Sequence, residues 1–213
     1  MNKIDEITNY FDELIPNPKC ELEYNKPYQL VIAVMLSAQT TDKRVNIVTK
    51  ELFNKYKTLE ELKNADVKDI ENIIRTVGSF RKKAIGVIGI AKILNEEYND
   101  EVPNNREILE SLPMVGRKST NVILNEIYNV PTIAVDTHVD RVSKRLNLAK
   151  EDDSVLKVEE KLKRKLKKDK WGRFHHQAVL FGRYYCKAKN PLCDNCKLQH
   201  ICKYKKMVKW NLK

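Results

Sequence analysis

Apolar side chains recur three and four residues apart along most of this chain, a period that belongs to helices. Ile4, Ile7, Phe11, Leu14 and Ile15 form one face of a short helix over 3–15, which Pro16-Asn17-Pro18 ends. Tyr28 to Gln39 is apolar nearly all round, as expected of a central helix buried on every side. Thr41-Asp42 reads as the N-cap region of a helix to about Tyr56, with Val45, Val48, Leu52 and Phe53 inward. Asp66 starts another, with Ile70, Ile73 and Ile74 inward, and Lys82 to Tyr98 a longer one that would bury Ile85, Ile88, Ala91 and Leu94. Asp136 opens a helix carrying Val139, Val142 and Leu146, and a last pair covers about 154–168 and 173–186. Only six glycines and seven prolines punctuate the 213 residues, too few for a hairpin-rich β protein. The fold class is all-α.

One stretch does not read as plain scaffold. In Leu112-Pro113-Met114-Val115-Gly116-Arg117-Lys118-Ser119-Thr120-Asn121, Pro113 stops a helix, Gly116 permits a tight turn, and a new apolar period starts at Arg117. The pattern is helix, hairpin, helix. The first turn of the second helix leaves backbone N–H groups free at a positive helix end, which suits a phosphate. Arg117 and Lys118 sit in that turn, where cations oppose the helix dipole, a local cost that invites a functional explanation. Asp136 follows Lys118 by eighteen residues. It is a good N-cap whatever else it does.

Charge and cysteines narrow the class. The net charge of +11 makes a polyanion the natural partner, nucleic acid first. No run approaches the length of a membrane span and no signal-peptide pattern precedes Asp5, so no membrane partner and an intracellular, cytoplasmic location are expected. Four of the five cysteines, Cys186, Cys193, Cys196 and Cys202, fall within seventeen residues. In a reducing compartment such a cluster binds metal more readily than it forms disulfides. Four thiolates suit either structural zinc or an iron–sulfur cluster, and spacing leaves both open. Cys20 stands apart, as a small apolar core residue would.

The Leu112–Lys118 hairpin, Val135-Asp136-Thr137-His138, Leu36-Ser37-Ala38-Gln39-Thr40-Thr41-Asp42 and the cysteine spacing resemble, in colinear order from about Pro16 to Cys202, the endonuclease III family of helix-hairpin-helix DNA glycosylases. The resemblance implies two domains: a six-helix barrel over about 20–130, with the helix-hairpin-helix at about 105–130, and a discontinuous domain of 1–19 plus 131–213 holding a [4Fe–4S] cluster on the four cysteines. It implies double-stranded DNA containing damaged bases or abasic sites as the partner, and a monomer suits an enzyme that scans duplex DNA. Lys118 would be the nucleophile and Asp136 the essential carboxylate. Met114, Gly116 and Arg117 would lie against phosphate, with Met114 standing where the family's hairpin has its first glycine. Gln39 would fill the gap left by an extruded base, Ser79 or Phe80 would supply a second wedge, and Lys187 and Lys189 would meet the DNA backbone.

The chemistry of the two catalytic candidates can be argued independently of the resemblance. An amine that attacks C1′ of deoxyribose leaves an imine on the opened sugar, which permits β-elimination of the 3′ phosphate; a water nucleophile would stop at an abasic site. The amine must be neutral to attack, and a lysine with the reference pKa of ~10.4 is neutral in only about one molecule in a few thousand at pH 7. A carboxylate near C1′ stabilises the positive charge that develops on the sugar, or assists proton removal. This chemistry predicts a bifunctional DNA N-glycosylase and abasic-site lyase, and the resemblance implies base-excision repair of oxidised pyrimidines such as thymine glycol. The competitors are a mismatch glycosylase for thymine, uracil or adenine, and a non-catalytic damage-sensing DNA-binding protein.

Overall fold

The structure, a computed structural model, describes residues 2–204; Met1 and 205–213, which fall in the expected discontinuous domain, lie outside the described residues. Among the described residues there are eleven α-helices and no strand. No helix among them is long and apolar enough to cross a membrane. The chain divides into two compact units, Cys20–Tyr128 and Met1–Lys19 with Asn129–Lys213.

The first unit is built on α2 (Pro27–Leu36), buried from Tyr28 to Leu36 and packed by α3 (Asp42–Lys55), α6 (Phe80–Tyr98) and α8 (Arg117–Tyr128). Pro27 suits its first turn, because its missing N–H would have had no helical partner. The Gln29 side chain accepts the N–H groups of Asn25 and Lys26 at 2.8 and 3.1 Å. The helix stops at Leu36, three residues short of the apolar run, because Ser37–Gln39 turn away. Thr41 caps α3, and Asp66 caps α5 (Val67–Ile73), as their residue types predict. Between them lies α4 (Leu59–Lys63), packed on α6 and capped by Thr58.

Helix α6 departs from expectation. It buries Lys83, Ala84, Val87, Ile90, Ala91 and Leu94, and leaves Ile85 65% exposed. The helix is rotated so that a lysine faces inward, an orientation that hydropathy does not favour.

The second unit packs α1 (Lys3–Leu14) and α9 (Thr137–Arg145) on α11 (Trp171–Leu180), with α10 (Val155–Lys165) against α9. Its core is aromatic. Phe11 lies 5.7 Å from the Phe174 ring and 4.9 Å from Phe181. The link Thr132–Val135 is buried and belongs to no helix. After Leu180 the backbone widens into one π turn, Phe181–Tyr185, that delivers the chain to Cys186. Gly182 is needed there, since a Cβ would fall 2.8 Å from His138 Cβ and 3.2 Å from its Cα.

Candidate active site and metal centre

The hairpin joins α7 (Arg106–Ser111) to α8. Leu112 leaves α7 in extended conformation, and the Val115 N–H closes the turn on the Leu112 carbonyl at 3.1 Å. Leu112 and Val115 are buried and anchor it. The left-handed residue of the turn is Met114, at φ 60°, and no glycine in the described residues has positive φ. This corrects the expectation that Gly116 makes the tight turn. The side chain at Met114 costs about 1–2 kcal/mol in that conformation, which the two buried anchors offset.

Two glycines of α6 seat the hairpin. A Cβ on Gly89 would lie 3.0 Å from Pro113 Cγ, and one on Gly86 would lie 3.3 Å from Met114 Sδ. Arg106 of α7 donates to Asn121 Oδ1 of α8 at 2.7 Å and ties the two arms together.

Lys118 occupies the exposed first turn of α8. The Thr120 N–H reaches back to the Gly116 carbonyl at 2.9 Å, so the preceding N–H groups form the open start of the helix. A Cβ on Gly116 would meet nothing within 4 Å. Neither the fold nor the turn geometry requires glycine there.

Asp136 is the N-cap of α9. Its Oδ1 accepts the N–H groups of His138 at 2.9 Å and Val139 at 2.8 Å. Among the described residues no donor reaches Oδ2, so capping uses one oxygen of the carboxylate and leaves the other. His138 is half-buried beside Arg141, whose Nη2 lies 3.1 Å from Nδ1. Burial, more than the neighbouring cations, pushes the imidazole pKa down despite Asp136.

Eight residues other than glycine have positive φ among those described. Five are Asn or Asp, which tolerate it. The other three are Gln39, Ser79 and Met114, at φ 56°, 57° and 60°. Each is a position assigned from sequence to DNA contact, and strained backbone of this kind concentrates at functional loops. Gln39 and Ser79 are exposed, and Phe80 is half-buried beneath the Arg81 guanidinium at 4.8 Å.

The four clustered cysteines are free thiols that line one cavity of about 130 Å³, together with residues such as Tyr10, Leu146, Phe181 and Tyr204. Among the described residues no three His, Cys, Asp or Glu side chains converge on a single-ion site. Burial pushes the Cys186 and Cys196 thiols up, and a coordinated metal would reverse that direction.

Two arginines that sequence reasoning missed organise this end of the unit. Arg141 donates to the carbonyls of Gly182 at 2.6 Å and Cys186 at 3.1 Å, which the π turn leaves without helical partners. Arg145 donates to Lys187 O at 2.8 Å, Ala188 O at 3.3 Å and Cys186 Sγ at 3.4 Å, and stacks on Tyr204 at 3.9 Å. They hold the loop on which Lys187 and Lys189 are exposed. Their spacing of four on one helix was the available signal.

These features define a helix-hairpin-helix protein with a lysine at the hairpin and a cysteine-lined centre. Residues 32–168 match the HhH-GPD superfamily base excision DNA repair protein family. Endonuclease III of Bacillus subtilis (strain 168) is 43% identical over 95% of this chain and 93% of its own. Endonuclease III of Haemophilus influenzae is 44% identical over 99% of this chain and 100% of its own. A trapped endonuclease III–DNA covalent intermediate, an estranged-adenine complex, superposes with a TM-score of 0.92 at 43% identity, covering 98% of this chain and 99% of that one. The chain belongs to the HhH-GPD superfamily of base excision DNA repair proteins and, within it, to the endonuclease III family.

Proposed function

We infer that this protein excises damaged bases from duplex DNA, oxidised pyrimidines such as thymine glycol above all, and then nicks the strand 3′ to the abasic site. The observation that carries this is the exposed primary amine of Lys118 in the open first turn of α8, in a chain of the endonuclease III family. A relative 43% identical to it has been caught as a covalent intermediate with DNA.

In the proposed reaction the target nucleotide is first drawn out of the stack, at a cost of about a few kcal/mol. The neutral Lys118 amine gives its lone pair to C1′, and the base leaves with the electrons of the glycosidic bond and takes up a proton. Asp136, through the carboxylate oxygen that capping does not use, stabilises the charge developing on the sugar or takes the amine proton. Ring opening gives a protonated imine. Loss of a C2′ proton expels the 3′ phosphate, and water then hydrolyses the imine and restores Lys118. The backbone at Met114, Gly116 and Arg117 holds phosphate without reading sequence. Gln39 fills the space that the extruded base leaves, and Ser79 or Phe80 supports the opposite side.

Cys186, Cys193, Cys196 and Cys202 would hold a [4Fe–4S] cluster. The fit rests on the donor set and on its spread. A tetrahedral zinc with Zn–S bonds of about 2.3 Å draws four sulfurs tightly together. Among the described residues the four thiols line one cavity without three of them converging on a single-ion site, an arrangement that suits a group of several atoms. Bound there, the group would supply structure and no redox step, and Lys187 and Lys189, exposed on the loop after Cys186, would meet the DNA backbone. The protein acts as a monomer in the cell, on its DNA. Single-turnover excision from a thymine glycol duplex, followed by strand scission at the resulting site, tests the assignment; base release without scission would contradict it.

A further inference from the structure

Lys83 is the one lysine or arginine fully buried among the described residues, with 2% of its surface exposed. No carboxylate lies within ion-pair distance of it among the described residues. Its ammonium donates to the carbonyls of Leu36 at 2.9 Å and Ala38 at 2.6 Å. These carbonyls lie where α2 ends, at the negative end of that helix. Ala38 immediately precedes the left-handed Gln39.

The same residue belongs to the first turn of α6. Its N–H donates to the carbonyl of Ser79 at 3.1 Å, and Ser79 is the second left-handed residue. The two loops lie against each other directly, since a Cβ on Gly78 would come 3.6 Å from the Gln39 carbonyl. Burial pushes the Lys83 pKa down, so a lysine here carries a desolvation cost that the two carbonyls offset. Packing alone would be served by an apolar side chain of similar length. A three-donor head aimed at the carbonyls of one loop, from the base of the other, does what an apolar residue cannot.

We propose that Lys83 is a positioning residue for base extrusion: its buried ammonium locks the Gln39 loop to the Gly78–Phe80 loop at the spacing needed to enter the duplex. The inference rests on the reading of Gln39 and Ser79–Phe80 as the elements that separate the strands. Lys83 itself touches no substrate.

The test compares Lys83→Met with the wild type on two substrates carrying the same lesion, one fully paired and one inside an unpaired bubble, with 2-aminopurine next to the lesion to report unstacking. The bubble needs no wedge. Single-turnover excision and the fluorescence rise on the paired duplex fall about tenfold or more, equivalent to about 1.4 kcal/mol of lost strand separation, and excision from the bubble changes by less than about twofold. Equal losses on both substrates show a general structural role and overturn the proposal, as does full activity on both. If Lys83→Met does not fold by circular dichroism, Lys83→Gln, which keeps two N–H donors without charge, is scored on the same ratio. Absence of wild-type excision on either substrate would refute the enzymatic reading, and the fluorescence ratio on binding would still decide the role of Lys83.

Discussion

Asp136 Oδ1 accepts the Val139 N–H at 2.8 Å, so the carboxylate proposed for catalysis is also the cap that starts α9. The two roles separate by substitution. Asn caps a helix as well as Asp does, so Asp136→Asn should leave the melting temperature nearly unchanged while base excision falls by orders of magnitude. Asp136→Ala should lose the same activity and, in addition, about 1 kcal/mol of stability. Thermal unfolding and single-turnover excision of both variants check this.

Gly116 and Gly182 make opposite predictions. A Cβ at Gly116 meets nothing in the protein, and its φ is not positive, so Gly116→Ala should fold with a stability change within about 1 kcal/mol. If the hairpin backbone approaches phosphate closely there, duplex affinity falls. A Cβ at Gly182 runs into His138, including its backbone Cα at 3.2 Å, so Gly182→Ala should destabilise the protein by about 1–3 kcal/mol. Paired denaturant melts and DNA titrations read both.

Acid should loosen the junction of α1 and α11. Asp12 Oδ1 accepts from Arg173 Nε at 2.6 Å and Gln177 Nε2 at 2.9 Å. Burial acts to raise its pKa, but the Gln177 and Arg173 hydrogen bonds together outweigh it and hold the carboxyl below its usual value. The folded-state pKa therefore lies below the unfolded one, and the stabilisation is present above about pH 4 and lost as pH falls through the depressed value. Unfolding free energy should drop below about pH 4, and Asp12→Asn should flatten that drop.

Iron and sulfide analysis with visible absorbance tests the metal centre. Wild type should carry four of each per chain, and Cys202→Ser, at the most buried of the four clustered cysteines, should lose the chromophore and melt lower. Zinc without sulfide would reject the cluster assignment.

Much of this architecture is legible in the sequence because helices leave a period and capping residues mark their starts: Thr41, Asp66 and Asp136 all cap where their types predict. The short α4 left no trace, since five residues span too little of a period to register. On α6 the expected Ala91 and Leu94 are buried, but Ile85 is exposed and Lys83, which the apolar period does not mark, takes an inward position. Hydropathy sends a lysine outward, and only the carbonyls of Leu36 and Ala38, 47 and 45 residues away, make its burial tolerable. At the hairpin, residue type points to Gly116 as the turn residue. The strain falls on Met114, held there by the buried residues on either side of the turn.

In the proposed reaction Lys118 forms a covalent bond with the sugar. Borohydride reduction of the protein mixed with an abasic-site duplex should leave a stable enzyme–DNA adduct. Lys118→Ala, at an exposed position where stability should move by no more than about 0.5 kcal/mol, should leave none. A wild type that cannot be trapped, or a Lys118→Ala protein trapped as efficiently as wild type, would rule out Lys118 as the nucleophile.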